Sequence, residues 1–294
     1  MDETLRIEWV DWRGKVWDLT TGKQGVLLSE DASDLGLPPV NQILDATGNL
    51  TNTVLDPARP TLAVEVGIGL YGVEYYRLAD EWWSLANQPH KVGTLRFYQP
   101  NGLRREAQFV LREAPDVTWK NDPGLHRERS KEPWLLQGIS PYWDGNPQKL
   151  TYSRGVLTYY QPFYGKTGRW PLHITPEALV GKKTFSNTGQ GKMWGEWTFT
   201  GPLTNPSITY GNKTVSYRGS IPEGQTVKVQ TDPRKVSAMN LTTGQNVLSK
   251  LYIPGSSFPS IPVGESVQVS ISAESATGNS IIEVVAKEQH LRPF

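Results

Sequence analysis

The residues with the clearest chemical potential are the glycines of segment 67–72, which match the phosphate-binding pattern GxGxxG. In dinucleotide-binding proteins such glycines let backbone amides approach a pyrophosphate at a helix N-terminus, and an acidic residue at the end of the next strand binds the ribose. Here the segment follows a predicted strand, 61–66, and precedes a predicted helix, 73–87. The next strand, however, ends in a hairpin, and a doubly wound sheet needs several βαβ units whereas this chain offers one helix. We therefore interpret the segment as a glycine-rich connection.

The other residue types that carry chemistry are scattered. The four histidines share no HxH or HxxxH spacing, whereas a zinc site needs three or four converging ligands; they are His90, His126, His173 and His290. The chain has no cysteine and no GxSxG motif, so no nucleophile is indicated. Paired acids such as Asp80 and Glu81 fit a solvated surface. We predict no catalytic residue, no metal, no cofactor and no enzymatic activity.

Tryptophan suggests one binding possibility. Trp197 and Phe199 share one face of a predicted strand and are expected in the core, whereas Trp194 has the opposite parity and is the candidate for an open surface. Exposed aromatic rings on a sandwich can stack on sugars. Trp194 is therefore a candidate glycan contact, and the alternative function is that of a carbohydrate-binding module that adheres to host-surface glycans.

Composition bounds the remaining possibilities. The 294 residues include 28 glycines and 22 prolines, a content that favours many turns and short strands. No apolar run reaches the roughly 18 residues of a membrane span, so we predict no membrane partner. Residues 1–143 hold 15 basic and 20 acidic side chains, and the rest hold 15 and 9. This asymmetry suggests two domains but is too diffuse for specific nucleic-acid binding.

Periodicity predicts the elements. Alternating strands open the chain, the helix at 73–87 must pack on a sheet, and strands 94–98 and 103–111 form a long hairpin around Gly102. Proline and glycine near Trp143 indicate a boundary between domains 1–143 and 144–294. The second domain reads as an antiparallel sandwich ending in a loosely held tail; its predicted strands are 156–159, 172–174, 197–199, 215–217, 227–229, 267–271 and 281–285.

Four segments of the second domain resemble the distal tail proteins of siphophages, including the minor tail proteins of actinobacterial phages. Residues 187–207 resemble an Asn-Gly loop that leads into a strand and a Thr-Gly-Pro step. The turn 221–225, the acidic Thr-Asp-Pro-Arg run ending at Arg234, and the Phe-Pro stop at 258–265 follow in the order of that family. In the first half, Gly36-Leu37-Pro38-Pro39 and Pro141-Tyr142-Trp143 also match. The stretch 151–183 does not map onto the family.

The resemblance implies a mainly β fold and a structural role. The N-terminal domain would be β-barrel-like, with one α-helix and a long hairpin, and would build a hexameric ring. A galectin-like β-sandwich, similar to carbohydrate-binding modules, would follow it. The ring would join the tail tube protein to the baseplate hub or tail-associated protein at the virion tail tip, with the tape measure protein in its lumen. Assembly would take place in the host bacterial cytoplasm.

One side of the ring contact is expected on the long hairpin. Asn101 lies at its predicted tip, and Arg104 and Arg105 follow in its second strand. Ring closure requires heterologous contacts between neighbouring copies. The positive charge of the two arginines is opposite in sign to the net negative charge of residues 1–143. We expect these three residues at the ring interface.

Overall fold

A computed structural model describes residues 4–45, 50–84, 90–113, 130–153, 179–253, 258–276 and 279–294. The chain divides into two compact units. The first comprises Met1–Asn146 together with Gln289–Phe294, and the second comprises Pro147–Glu288. Both ends of the second unit therefore continue into the first.

The first unit is built mainly from strands, with one α-helix in its described part. The elements are β1 (Arg6–Val10), β2 (Val16–Asp18), β3 (Val26–Leu28), β4 (Val40–Leu44), β5 (Leu50–Leu55), β6 (Thr61–Val66), α1 (Val73–Trp83), β7 (Gly93–Tyr98), β8 (Arg104–Glu113), β9 (Ser130–Gly138) and β10 (Trp143–Ser153), which runs on into the second unit.

The strands of the first unit pair antiparallel in the order β3-β6-β9-β8-β7-β1-β2. This path is open, so the described strands form a sheet and no closed barrel. The predicted hairpin is confirmed: β7 and β8 pair from Gly93 with Phe109 to Tyr98 with Arg104. Alternate residues of β7 are buried, as expected for a strand with one face on a core.

Helix α1 packs on this sheet through one face, as the sequence predicted. Its buried residues are Tyr75, Leu78 and Trp82, spaced by three and four positions. The ring of Trp82 makes edge contacts with Trp17 of β2 and Trp134 of β9, at centroid distances of 5.2 and 5.6 Å. The helix ends at Trp83, earlier than the predicted residue 87, and residues 85–89 lie outside the described part.

In its described residues, the second unit consists of strands and one short 3-10 turn. The elements are β11 (Leu179–Ser186), β12 (Met193–Thr200), β13 (Leu203–Thr204), β14 (Ser207–Tyr210), β15 (Lys213–Tyr217), β16 (Ser220–Ile221), β17 (Thr226–Gln230), β18 (Ser237–Asn240), a 3-10 turn (Leu248–Lys250), β19 (Leu251–Tyr252), β20 (Ser260–Ile261), β21 (Ser266–Ala273), β22 (Ser275–Ala276) and β23 (Ile281–His290).

These strands form two main antiparallel sheets around one core. One sheet has the order β18-β17-β12-β23, and the other has the order β11-β21-β14-β15-β19. Trp197 of the first sheet is fully buried and donates its indole N–H to the hydroxyl of Tyr210 of the second, at 3.0 Å. Burial raises the pKa of Tyr210, so its hydroxyl stays protonated. The bond fixes how the two inner faces meet.

The mainly β, antiparallel fold class predicted from the sequence is confirmed. The five predicted strands of the second domain from residue 197 onward all lie within β12, β15, β17, β21 and β23. Trp197 and Phe199 are core residues, at 0% and 1% exposure. The predicted strands at 156–159 and 172–174 lie outside the described residues.

The prediction of a loosely held C-terminal tail is wrong. Strand β23 runs to His290, which is buried. Beyond it, the carbonyl of Arg292 accepts a hydrogen bond from Arg105 at 2.8 Å, and the ring of Phe294 lies 6.0 Å from that of Phe97. The last residues are therefore held by the β7–β8 hairpin of the first unit.

The segments that carry the family resemblance meet in the second unit. The buried side chain of Asn187 donates to the carbonyls of Gly191 and Ile261, both at 2.9 Å, and its own carbonyl accepts the amide of Gly264 at 2.9 Å. A Cβ at Gly201 would overlap the carbonyl of Pro222. Segment 187–207 therefore contacts both the turn 221–225 and the stop 258–265, so these three motifs lie side by side in the folded unit.

Candidate functional site

The glycine segment 67–72 connects β6 to α1, and three of its backbone amides already donate hydrogen bonds within the chain. The amides of Gly67 and Ile68 both donate to the carbonyl of Gly25, at 2.8 and 3.2 Å, and the amide of Leu70 donates to Gly67. The preceding strand, β6, is antiparallel to both of its neighbours, whereas a dinucleotide fold needs parallel strands. The interpretation of this segment as structural agrees with this geometry.

The described histidines do not converge. His90 is exposed in the first unit and His290 is buried at the end of β23, while His126 and His173 lie outside the described residues. Within the described part of the chain, no three His, Asp or Glu side chains are grouped so as to hold a metal ion. Among the described residues, no helical segment has the length and hydropathy of a membrane span.

The predicted ring-contact residues lie together on the β7–β8 hairpin. Asn101 is exposed at the tip, where its side-chain oxygen accepts the amide of Leu103 at 3.0 Å. Arg104 forms an ion pair with Glu106 at 3.6 Å, and Arg105 donates to Arg292. Both arginines are half-buried, so they support the hairpin within their own chain, and their ring role stays a prediction.

A second hairpin in the first unit is more exposed and was not singled out from the sequence. Among the described strands, β4 and β5 pair only with each other. Ile43 and Val54 project from one face of this ribbon, since Val54 lies opposite Asn41, and they are 48% and 40% exposed. Val40, on the other face, is 50% exposed. An isolated two-stranded ribbon is marginally stable in water, so its apolar residues suit a contact with another molecule.

Trp194 occupies the outer parity of β12, as the sequence predicted. It is half-buried, alternates with buried Met193 and Gly195, and pairs with Ser260 of β20. Its role as a glycan contact is not tested by this placement.

A groove in the second unit is lined mostly by polar residues and is open to solvent. Its volume is about 520 Å³, within the roughly 300–1,000 Å³ usual for small-molecule sites. It lies along β14, β15, β19 and β21, and its lining consists of Asn205, Ser207, Ser216, Tyr217, Arg218, Tyr252, Ser272, Ala273 and Glu274. Sequence reasoning missed these residues, because they are brought together by strand register.

A smaller cleft in the first unit is lined by tryptophans. The indole N–H groups of Trp9 and Trp82 are buried without an acceptor, and both side chains line a cleft of about 20 Å³ together with Trp12 and Trp134. That volume is close to what one water molecule requires. The cleft is therefore too small for an organic ligand.

Two buried aspartates have perturbed acidity for structural reasons. Burial raises the pKa of Asp232, but hydrogen bonds from the side chain and amide of Arg234 outweigh it, and the net pKa is lowered. In the first unit, burial likewise raises the pKa of Asp11, but hydrogen bonds from Arg13, the amide of Lys15 and the indole of Trp17 outweigh it, and the net pKa is lowered. In each case the arginine two residues later closes a tight turn, so neither carboxylate is a candidate catalytic acid.

Comparisons with known proteins give a fold but no sequence family. No protein-family model matches the chain, and no curated protein is detectably similar in sequence. The structure is similar to a crystal structure described as SPP1 Dit (gp 19.1), a paradigm of hub adsorption apparatus in Gram-positive infecting phages. The TM-score is 0.54 at 13% identity, and the match covers 97% of this chain and 99% of that one. The two chains therefore share a fold over nearly their full lengths.

A second structural match is much weaker. It is to infectious bursal disease virus, Gx strain, with a TM-score of 0.17 and 10% identity over 98% of this chain and 60% of that one. That score is too low to indicate a common fold.

Proposed function

We propose that this chain is a structural protein of the tail tip of a long-tailed bacteriophage, where six copies form a ring that connects the tail tube to the baseplate hub. The observation that carries the proposal is the shared fold with the phage hub protein across both units. The ordered motifs of the second unit support it independently. No chemistry of its own is required for such an adaptor.

The first unit is proposed to build the ring. A closed ring needs two different patches that fit each other on neighbouring copies. The exposed apolar ribbon β4–β5 supplies one candidate patch, with Ile43 and Val54 on one face. The tip of the β7–β8 hairpin, with Asn101, Arg104 and Arg105, supplies the other.

The partners follow from this position. One rim of the ring would bind the tail tube protein and the other the baseplate hub or tail-associated protein, with the tape measure protein in the lumen. Assembly would take place in the host bacterial cytoplasm, and the mature protein would belong to the virion. The second unit, galectin-like in this proposal, would lie at the periphery.

Native mass spectrometry of the full-length chain tests the oligomeric part of this proposal. We expect a complex with six times the chain mass of 32.8 kDa, and its fraction should increase with protein concentration. A monomer that persists at high concentration, alone and with the tube and hub proteins added, would contradict it.

The alternative, glycan adhesion through Trp194, finds less support. Trp194 is half-buried beside β20 and is not among the residues that line the groove of the second unit.

A further inference from the structure

The outer face of one sheet in the second unit is covered with hydroxyl groups. Along β14, β15 and β21, the inward residues Ile208, Val215 and Ile271 are buried in the core, and serines and threonines alternate with them on the outer face. Two cross-strand hydroxyl pairs are short: Thr209 with Thr214 at 2.8 Å, and Ser207 with Ser272 at 2.7 Å.

Strand register places four of these outer residues in one row. Tyr252 of β19 lies opposite Ser216 of β15, Ser216 opposite Ser207 of β14, and Ser207 opposite Ser272 of β21. Adjacent strands are about 4.8 Å apart, so the row spans about 14 Å across the sheet. All four residues line the groove of about 520 Å³. The groove floor is thus a line of hydroxyls that ends at an aromatic ring.

An arginine holds the aromatic end of the row. The guanidinium carbon of Arg218 lies 4.0 Å from the centroid of the Tyr252 ring, a cation–π contact. Tyr252 is nevertheless 48% exposed. The stack limits the motion of both side chains and keeps N–H donors of the guanidinium at the groove edge.

The other end of the groove carries a carboxylate held in place by an amide. Asn205 donates from its side chain to Glu274 at 2.6 Å, and its side-chain oxygen accepts the amide of Gly219 at 2.9 Å. Glu274 is exposed, and its carboxylate has acceptor capacity for more than one donor. The groove thus combines fixed acceptors, fixed donors and hydroxyls that serve as both.

We propose that this groove binds a neutral saccharide. Sugar hydroxyls need a dense set of alternating donors and acceptors, which the serine row, Arg218 and Glu274 supply, and the apolar face of a sugar ring packs on an exposed aromatic side chain such as Tyr252. Among the described lining residues, Arg218 is the one cation and Glu274 the one anion. The balance of charge disfavours phosphorylated ligands, and the polar floor disfavours apolar peptides.

The test is a glycan array probed with the full-length chain, bearing neutral oligosaccharides of glucose, galactose, N-acetylglucosamine and N-acetylgalactosamine beside glycosyl phosphates. We expect binding to at least one neutral oligosaccharide. In a titration with that oligosaccharide, Tyr252→Ala and Arg218→Ala should each weaken binding by about tenfold.

Matched controls separate this groove from other surfaces. Tyr71→Ala removes a tyrosine that is 57% exposed in the first unit and should leave binding unchanged, as should Trp194→Ala. The inference is overturned if no neutral saccharide binds, if only glycosyl phosphates bind, or if binding survives both groove substitutions. The native mass of the same samples is measured in parallel, so that a failure of this inference is distinguishable from a failure of ring assembly.

Discussion

Gly67 lies where the connection after β6 passes close to the first turn of α1. Its φ is +90°, and a Cβ there would overlap the ring of Tyr75, which is buried. Gly69, two residues later, has a similar φ of +74° but open space around it. The same sequence motif therefore holds one glycine that is needed for packing and one that is needed only for backbone conformation.

Because of this difference, we expect Gly67→Ala and Gly69→Ala to lower the free energy of unfolding by different amounts. Gly67→Ala should destabilise the first unit by about 2–4 kcal/mol, because left-handed strain and overpacking add. Gly69→Ala should cost about 1 kcal/mol, from left-handed strain alone. Denaturant unfolding followed by tryptophan fluorescence measures both, since eight of the 11 tryptophans lie in residues 1–143. Equal losses for the two variants would show that the contact with Tyr75 is unimportant.

Asp232 predicts a pH dependence of the second unit. Its folded pKa is below the ordinary value of 3.8, so its contribution to stability is present above that value and is lost as the pH falls through the lower, folded pKa. Asp232→Asn should therefore lower the melting temperature at pH 7. The difference from the wild type should shrink as the pH falls below about 3.8.

Scanning calorimetry between pH 7 and pH 2 measures this difference. Glu265→Gln is the control, because Glu265 is exposed and should show a small difference at every pH. A gap between the wild type and Asp232→Asn that stays constant down to pH 2 would refute the role assigned to the Asp232–Arg234 turn.

The secondary-structure elements that depend on residues close in the chain were predicted correctly from the sequence. The turn around Gly102 predicted the β7–β8 hairpin, because a hairpin depends on residues close in the chain. For the same reason α1 was predicted from the spacing of Tyr75, Tyr76, Ala79, Trp82, Trp83 and Ala86. The parity of Trp197 and Phe199 predicted their burial for the same reason.

Elements that depend on distant residues were not predictable in this way. The groove requires the register of β14, β15, β19 and β21, whose strands are up to about 65 residues apart in the chain. The alternating serines of β21 indicated an exposed strand face, but they did not indicate which strands lie next to β21 in the sheet. The contacts of Arg292 and Phe294 were missed because their partners, Arg105 and Phe97, lie nearly 200 residues earlier in the chain.

The β4–β5 ribbon gives a prediction about assembly. Ile43→Lys and Val54→Lys place charges on the exposed apolar face, where they cost little in the isolated chain but would be buried in a contact between copies. We expect both variants to keep the wild-type melting temperature and to lose the hexamer by native mass spectrometry. Val263→Lys, at a residue of the second unit that is 50% exposed, should keep both.

An unchanged hexamer in the ribbon variants would place the ring contact elsewhere. The charge reversal of Arg104 and Arg105 to Glu is also expected to weaken the ring, but it breaks the contacts of these residues with Glu106 and Arg292. Its result is informative only when the melting temperature is measured alongside the mass.

In the whole molecule, the two β units have different proposed functions. The first carries exposed hairpins suited to contacts between copies, and the second carries the groove. The fold is shared with a phage hub protein at 13% identity, a level at which few side chains are common to both. The proposed ring therefore depends on surfaces of this chain as well as on the shared fold.

Single-particle electron microscopy of the full-length protein distinguishes a six-membered ring from any other assembly. We expect closed rings with six-fold symmetry, an open lumen, and the first unit lining that lumen. Particles of one copy at high concentration and in the presence of the tube and hub proteins, or open filaments without a closed ring, would contradict it.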